Sequence, residues 1–190
     1  MKLLRIARDM LEQPKMDLIG NGATRALADV AINVSHDEWK SICDTEAVVV
    51  RAAQATAAFV SNEEVEVSVA LSCDAEIQIL NARYRNQNKP TNVLSFTNGM
   101  MLSAASGPVF LGDVIIAYET LICEAAAEGK YPADHLAHLT VHGVLHLLGF
   151  DHENDEEAER MEAAERTILN TLGVSDPYDC RLDAVEPEAA

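Results

Sequence analysis

Val65, Val67, Val69 and Leu71 alternate with polar or small residues, the period-two pattern of a strand with one buried face. Asp74, just beyond, is placed to cap a helix running through Tyr84. Upstream, Leu27 to Val34 is a short apolar run with β-branched residues and predicts a strand. Trp39 to Val60 has helical periodicity with an Ala-rich stretch and predicts a helix. After Pro90, Val93 to Phe96 reads as a third strand and Val109 to Tyr118 as a fourth, with Gly99 and Gly107 permitting turns between them. Three helices follow, about Glu119 to Gly129, Ala133 to Leu148 and Asn154 to Leu172, the last closed by Gly173. The pattern predicts an α+β protein with a single small mixed sheet flanked by helices.

Length narrows this to one domain, since 190 residues suffice for a real core and fall short of what two domains usually require. The domain is expected over residues 23–178. Residues 1–22 read as an N-terminal extension: Leu3, Leu4, Ala7 and Leu11 have helical spacing, broken by Pro14 and by Gly20-Asn21-Gly22. Residues 179–190 read as an acidic, disordered tail. The hydrophobic share of 48% and the charged share of 24% are those of a globular chain.

A net charge of −17 argues against a polyanionic partner, but much of it sits from Glu153 onward. Between Glu76 and Asp113 there is no acid, while Arg83, Arg85 and Lys89 are present. A polyanion would meet no local repulsion there, although a loop that merely lacks acids gives the same pattern. Cys43, Cys73, Cys123 and Cys180 form no CxxC pair and read as reduced, mostly buried thiols. The first residues contain no uninterrupted apolar stretch of a secretory type, and no apolar run is long enough to span a bilayer, so a cytoplasmic location is expected.

Candidate chemistry concentrates in the segment from His142 to His152, HGVLHLLGFDH. Histidines four apart lie on one helical face and can share an ion. Gly149 can adopt the left-handed conformation that ends a helix, which allows His152 to return as a third ligand. Three imidazoles leave a coordination position for water, as in catalytic rather than structural zinc sites. A lone pair at this spacing would read equally well as ordinary surface or core histidines. The spacing also occurs in metzincin peptidases, which place a general-base Glu directly after the first histidine; here that residue is Gly143. His138 reads as a core residue or as support for a ligand, and His135 as exposed near the helix start. Asp151 could brace a ligand or cap the next helix, the second being favoured. The acidic run from Glu153 to Glu165 reads as an amphipathic helix with a solvated outer face.

The stretches HGVLHLLGFDH, NARYRNQNKPTNVLSF and LGDVIIA, in this order and at this spacing, resemble the YbeY family. With the helices around them they span roughly residues 60–178, and the first sixty residues match only loosely. The resemblance implies a zincin-like fold and a cytoplasmic endoribonuclease directed to single-stranded RNA. The implied roles are maturation of the 3′ end of 16S ribosomal RNA and ribosome quality control, with ribosomal RNA and the small ribosomal subunit as partners. It implies His142, His146 and His152 as metal ligands, zinc as the cofactor, Arg85 as the functional arginine, and Asp113 as the other notable polar position. Asn88 and Asn92 stand where the family often has Asp, and Phe150 where Tyr is common. Neutral residues beside Arg85 leave it free for an anionic substrate, with a surface salt bridge as its plain alternative. For Asp113, a ligand-orienting role and a turn or cap role are equally open. Two other readings stay open: a peptidase or other small-substrate hydrolase using the same histidines, and a non-catalytic ribosome assembly factor whose metal stabilises the fold.

Overall fold

A computed structural model describes residues 28–61, 63–99 and 107–179. The N-terminal extension, Leu27, Cys180 and the tail beyond it lie outside the described residues. Four strands form one mixed sheet in the order β1-β2-β4-β3. These are β1 (Ala28–Val34), β2 (Val65–Ser72), β3 (Val93–Thr97) and β4 (Val109–Ala117). β1, β2 and β4 are parallel, and β3 runs antiparallel to β4 at one edge. Among the described residues the helices are α1 (Thr45–Val60), α2 (Asp74–Arg85), α3 (Tyr118–Ala127), α4 (Pro132–Leu147) and α5 (Asp155–Thr171). None is long and apolar enough to cross a membrane. The α+β architecture with one small mixed sheet is therefore as expected.

The alternation in β2 has its predicted consequence: Val65, Val67, Val69 and Leu71 are all buried, in one cluster with side chains of α1, α4 and α5. Each such side chain contributes about 1.5–3 kcal/mol by leaving water. A smaller cluster on the opposite face joins Ile77 of α2 to Leu94, Ile115 and Ala117. α4 is the central helix, buried on most sides, so its sequence is apolar nearly all round. Gly143 packs tightly on the sheet: a Cβ there would stand 2.6 Å from Val114 Cγ1 and 3.2 Å from Ser95 Oγ. The residue that looked like a missing base is thus a packing glycine facing β4.

Three expectations need correction. The described cysteines are not mostly buried: Cys43 and Cys123 are exposed and Cys73 is half-buried. The helix expected from Trp39 to Val60 is broken into a 3-10 turn, Asp37–Ser41, and α1. The break arises because Trp39 is buried with its indole N–H donating to Ser72 O at 3.0 Å, while Thr45 Oγ1 donates to the carbonyls of Trp39 and Ile42. Asp74 does not cap α2, whose N-cap is Cys73. Its carboxylate instead accepts from Thr120 N and Thr120 Oγ1 in the first turn of α3, while Glu119 accepts from Asp74 N. The two helix starts satisfy each other's free N–H groups.

Candidate metal centre

α4 carries His142 and His146 one turn apart, and its C-terminus delivers the third imidazole. Gly149 has φ +91°, Gly149 N donates to His146 O, and Phe150 N donates to Leu145 O. This pair of bonds is the Schellman closure, which needs a residue tolerant of left-handed backbone at that point. The chain reverses and His152 comes to lie 5.5 Å from the His142 ring and 5.0 Å from the His146 ring, between centroids. Ligand-capable atoms of His142, His146 and His152 all fall within 4.8 Å of one another.

The protons decide what this cluster can do. His142 Nδ1 lies 2.7 Å from Glu165 Oε1, and His146 Nδ1 lies 3.0 Å from Phe150 O. A carboxylate and a carbonyl only accept, so both Nδ1 atoms carry hydrogen, and in the neutral rings both Nε2 atoms present lone pairs. Those two Nε2 atoms are 3.1 Å apart. Facing lone pairs at that distance repel unless a cation lies between them. Burial, and then the neighbouring His142, push the His146 imidazole below its ordinary pKa, so a proton is a poor occupant. The donor set fits a divalent metal ion, with the orientations of the His142 and His146 rings fixed from behind.

Glu165 is the residue that sequence reasoning missed. It is fully buried on the inner face of α5 and accepts from His142, from His138 Nε2 at 3.2 Å and from the Tyr178 hydroxyl. Burial acts to raise its pKa, but the hydrogen bonds from His138 and His142 outweigh this and hold the carboxyl at about 2. Burial and the Glu165 contact in turn push the Tyr178 phenol up. The signal was present in the spacing Met161, Ala164, Glu165, Ile168, which puts the acid on the apolar face. The acidic run is therefore not wholly a solvated face.

Other expectations divide. His138 shares the Glu165 carboxylate with His142, in line with the reading of it as core or support. His135 is buried rather than exposed, because its Nε2 pairs with Glu124 at 2.8 Å against the core. Asp151 does not cap α5: its Oδ1 accepts from His152 N, and Asn154 Oδ1 accepts from Glu157 N as the cap.

Arg85 is exposed at the end of α2 and reaches Ser95 O of the edge strand at 3.5 Å. The Ser95 hydroxyl donates to Gly143 O, so one residue of β3 touches both Arg85 and the histidine helix. Residues 83–90 are all exposed. Of the two asparagines near Arg85, Asn88 accepts from Gln78, and Asn92 donates to both Glu124 oxygens. Asp113 is exposed in the middle of β4, opposite Phe96. Val114 faces α4, so strand alternation turns Asp113 to the other side of the sheet, away from the histidines.

The chain matches the family model described as "Endoribonuclease YbeY" over residues 30–173. A protein of Azorhizobium caulinodans named endoribonuclease YbeY is 50% identical over 153 residues, covering 79% of this chain and 96% of that protein. One of Rhodopseudomonas palustris strain BisA53 with the same name is 52% identical over 147 residues, covering 75% of this chain and 85% of that protein. The solution structure of a Thermotoga maritima protein is 22% identical and covers 79% of this chain and 99% of that one, with a TM-score of 0.45.

Proposed function

The chain belongs to the YbeY family of endoribonucleases, and from that premise we propose that it hydrolyses phosphodiester bonds in single-stranded regions of RNA at the His142–His146–His152 centre. The observation that carries the reading is the pair of Nε2 atoms 3.1 Å apart, each ring held there by an acceptor on its Nδ1. The substrate we infer is small-subunit ribosomal RNA, cut near its 3′ end in the cytoplasm, with the small subunit as the working partner.

His142, His146 and His152 would hold the ion, for which zinc suits three imidazoles with an open position. A divalent cation there supplies Lewis acidity for activating water and for taking up charge on a phosphoryl oxygen. Glu165 keeps His142 in the tautomer that offers Nε2, and Phe150 O does the same for His146. Arg85 binds and orients the phosphate: its planar guanidinium can hold two oxygens and stays charged as negative charge develops. The exposed, acid-free stretch 83–90 with Lys89 supports an approach of the RNA backbone from that side. Asp113 has no role in this reading. The peptidase alternative is disfavoured by Gly143, since an acid placed after the first histidine would have to displace Val114.

The test is cleavage of a ribosomal RNA precursor by the purified full-length chain, with and without a chelator, beside a folded His146→Ala variant. Cleavage that needs both the metal and His146 supports the proposal. RNA binding with no metal-dependent cleavage would favour the assembly-factor reading instead.

A further inference from the structure

Away from the triad, three side chains with different donor atoms converge where β1 ends and α2 begins. His36 follows β1, Cys73 is the N-cap of α2, and Glu76 lies in its first turn. A ring nitrogen, the thiol sulfur and a carboxylate oxygen of this trio all lie within 4.8 Å of one another. We propose that His36, Cys73 and Glu76 form a second site for a divalent cation, of the thiophilic, borderline class that includes zinc and cobalt(II).

His36 Nε2 is buried, and among the described residues its nearest partner is a Glu76 oxygen 3.5 Å away, at the outer limit of a hydrogen bond. A buried ring nitrogen left in that state is costly unless something else meets it. Cys73 is a free thiol, half-buried beside it. The Ser72 hydroxyl donates to Glu76 and, against the effect of burial, holds its carboxyl below the usual range, so the oxygen is available as an anion. Nitrogen, sulfur and oxygen in one cluster are the donors zinc accepts, and a thiolate with a carboxylate neutralises a divalent charge in a partly buried place.

The cluster is also built in advance. Ser35 donates to Leu71 O through both its N–H, at 3.1 Å, and its hydroxyl, at 3.0 Å. Trp39 Nε1 donates to Ser72 O. These bonds fix the His36 segment against the end of β2, which continues directly into Cys73. The backbone that carries the three side chains is thus held together before any ion binds. The ion would pin the start of the 3-10 turn to the start of α2, far along the chain from the histidine helix.

Sulfur ligation separates this site from the triad, which has none. The full-length chain is reduced and titrated with cobalt(II), and the near-ultraviolet thiolate-to-cobalt charge-transfer band is followed. The expected result is a band that saturates in the parent, disappears in Cys73→Ser and in His36→Ala, and persists in His146→Ala. Bound cobalt should fall from two per chain to one in Cys73→Ser. Serine is a favoured N-cap, so that variant keeps α2 intact. A parent with no thiolate band, or a band unchanged in Cys73→Ser, would overturn the proposal and leave His36 and Glu76 as an ordinary ion pair.

Discussion

Glu165 Oε1 lies 2.7 Å from His142 Nδ1, and the carboxylate that makes this contact is fully buried among apolar side chains of α5. A charge in that position is tolerated because three donors converge on it: His142, His138 and Tyr178. The contact links the core to the candidate metal centre, since the orientation of the His142 imidazole is set by a residue buried in the interior.

Glu165→Gln should therefore weaken metal binding while keeping most of the packing. A glutamine carbonyl can still accept from His142, but without the negative charge, so the expected loss is about 10–100-fold in metal affinity. Glu165→Ala should also destabilise the fold by about 3–5 kcal/mol, because buried donors lose their partner. Chelator competition measures the first effect and denaturant unfolding the second. Unchanged affinity in both variants would show that His142 needs no support.

Acid should destabilise the metal-free protein in two steps. Glu165 is held at about 2 in the folded state, below the ordinary value of 4.5. Its contribution is therefore fully present above about pH 4.5 and is lost as pH falls toward 2. Across that window the unfolded chain binds the extra proton. The linkage is worth about 3 kcal/mol. His135 adds an earlier step: burial, opposed by Glu124, holds its imidazole below 6.5, so below that pH the unfolded state protonates first and stability falls again. Urea unfolding of the chelator-treated chain from pH 7 to pH 3 should show decreasing stability throughout, and Glu165→Gln should flatten the lower part. A parent equally stable across that range would contradict both assignments.

Gly143→Ala tests the packing that the histidine helix depends on. Alanine gains about 1 kcal/mol in helix propensity over glycine, but its Cβ would meet Val114 Cγ1 at 2.6 Å, and overpacking of this kind costs about 1–3 kcal/mol. Val114 is a branched strand residue with little freedom to move away. The net change should be destabilising. Val114→Ala in the same chain should relieve part of it, giving a favourable coupling in a double-mutant cycle. Simple additivity of the two substitutions would mean that helix and sheet are not in tight contact at this point.

What could be read from the sequence was what repeats or what is chemically rare. The β2 alternation and the His142–His146 spacing are periodic signals, and Gly149 is the expected helix terminator, so strand, helix face and chain reversal were all legible. The misses share a different cause: a side chain committed to a partner distant in sequence. Trp39 interrupts a helical pattern because its indole finds Ser72, and Asp74 caps the wrong helix because Thr120 lies nearby. His135 turns inward toward Glu124. Glu165 was hidden by its neighbours, one acid in an acidic run, although its place between Ala164 and Ile168 marked the buried face. Asp113 drew notice through the family resemblance, and alternation from Val114 would have turned it from the histidines once α4 was known to cover that face.

Arg85 allows activity and stability to be separated. It is exposed, its hydrogen bond among the described residues is a long one to Ser95 O at 3.5 Å, and the residues after it through Pro90 are exposed and carry no acid. An arginine so placed contributes well under about 1 kcal/mol to folding. A contact to charge developing in a transition state is typically worth about 10²–10³ in rate, or roughly 3–4 kcal/mol. The two magnitudes differ enough for one variant to discriminate. Arg85→Ala should keep the parent's metal content and thermal midpoint while cleavage of the RNA precursor falls by about that factor. Arg85→Lys should recover part of the loss, since lysine restores the charge but not the two-pronged grip on phosphate. Equal cleavage by parent and both variants would remove Arg85 from the reaction, and loss of metal or of the fold in both would make its role structural, acting through Ser95 on the helix that carries His142.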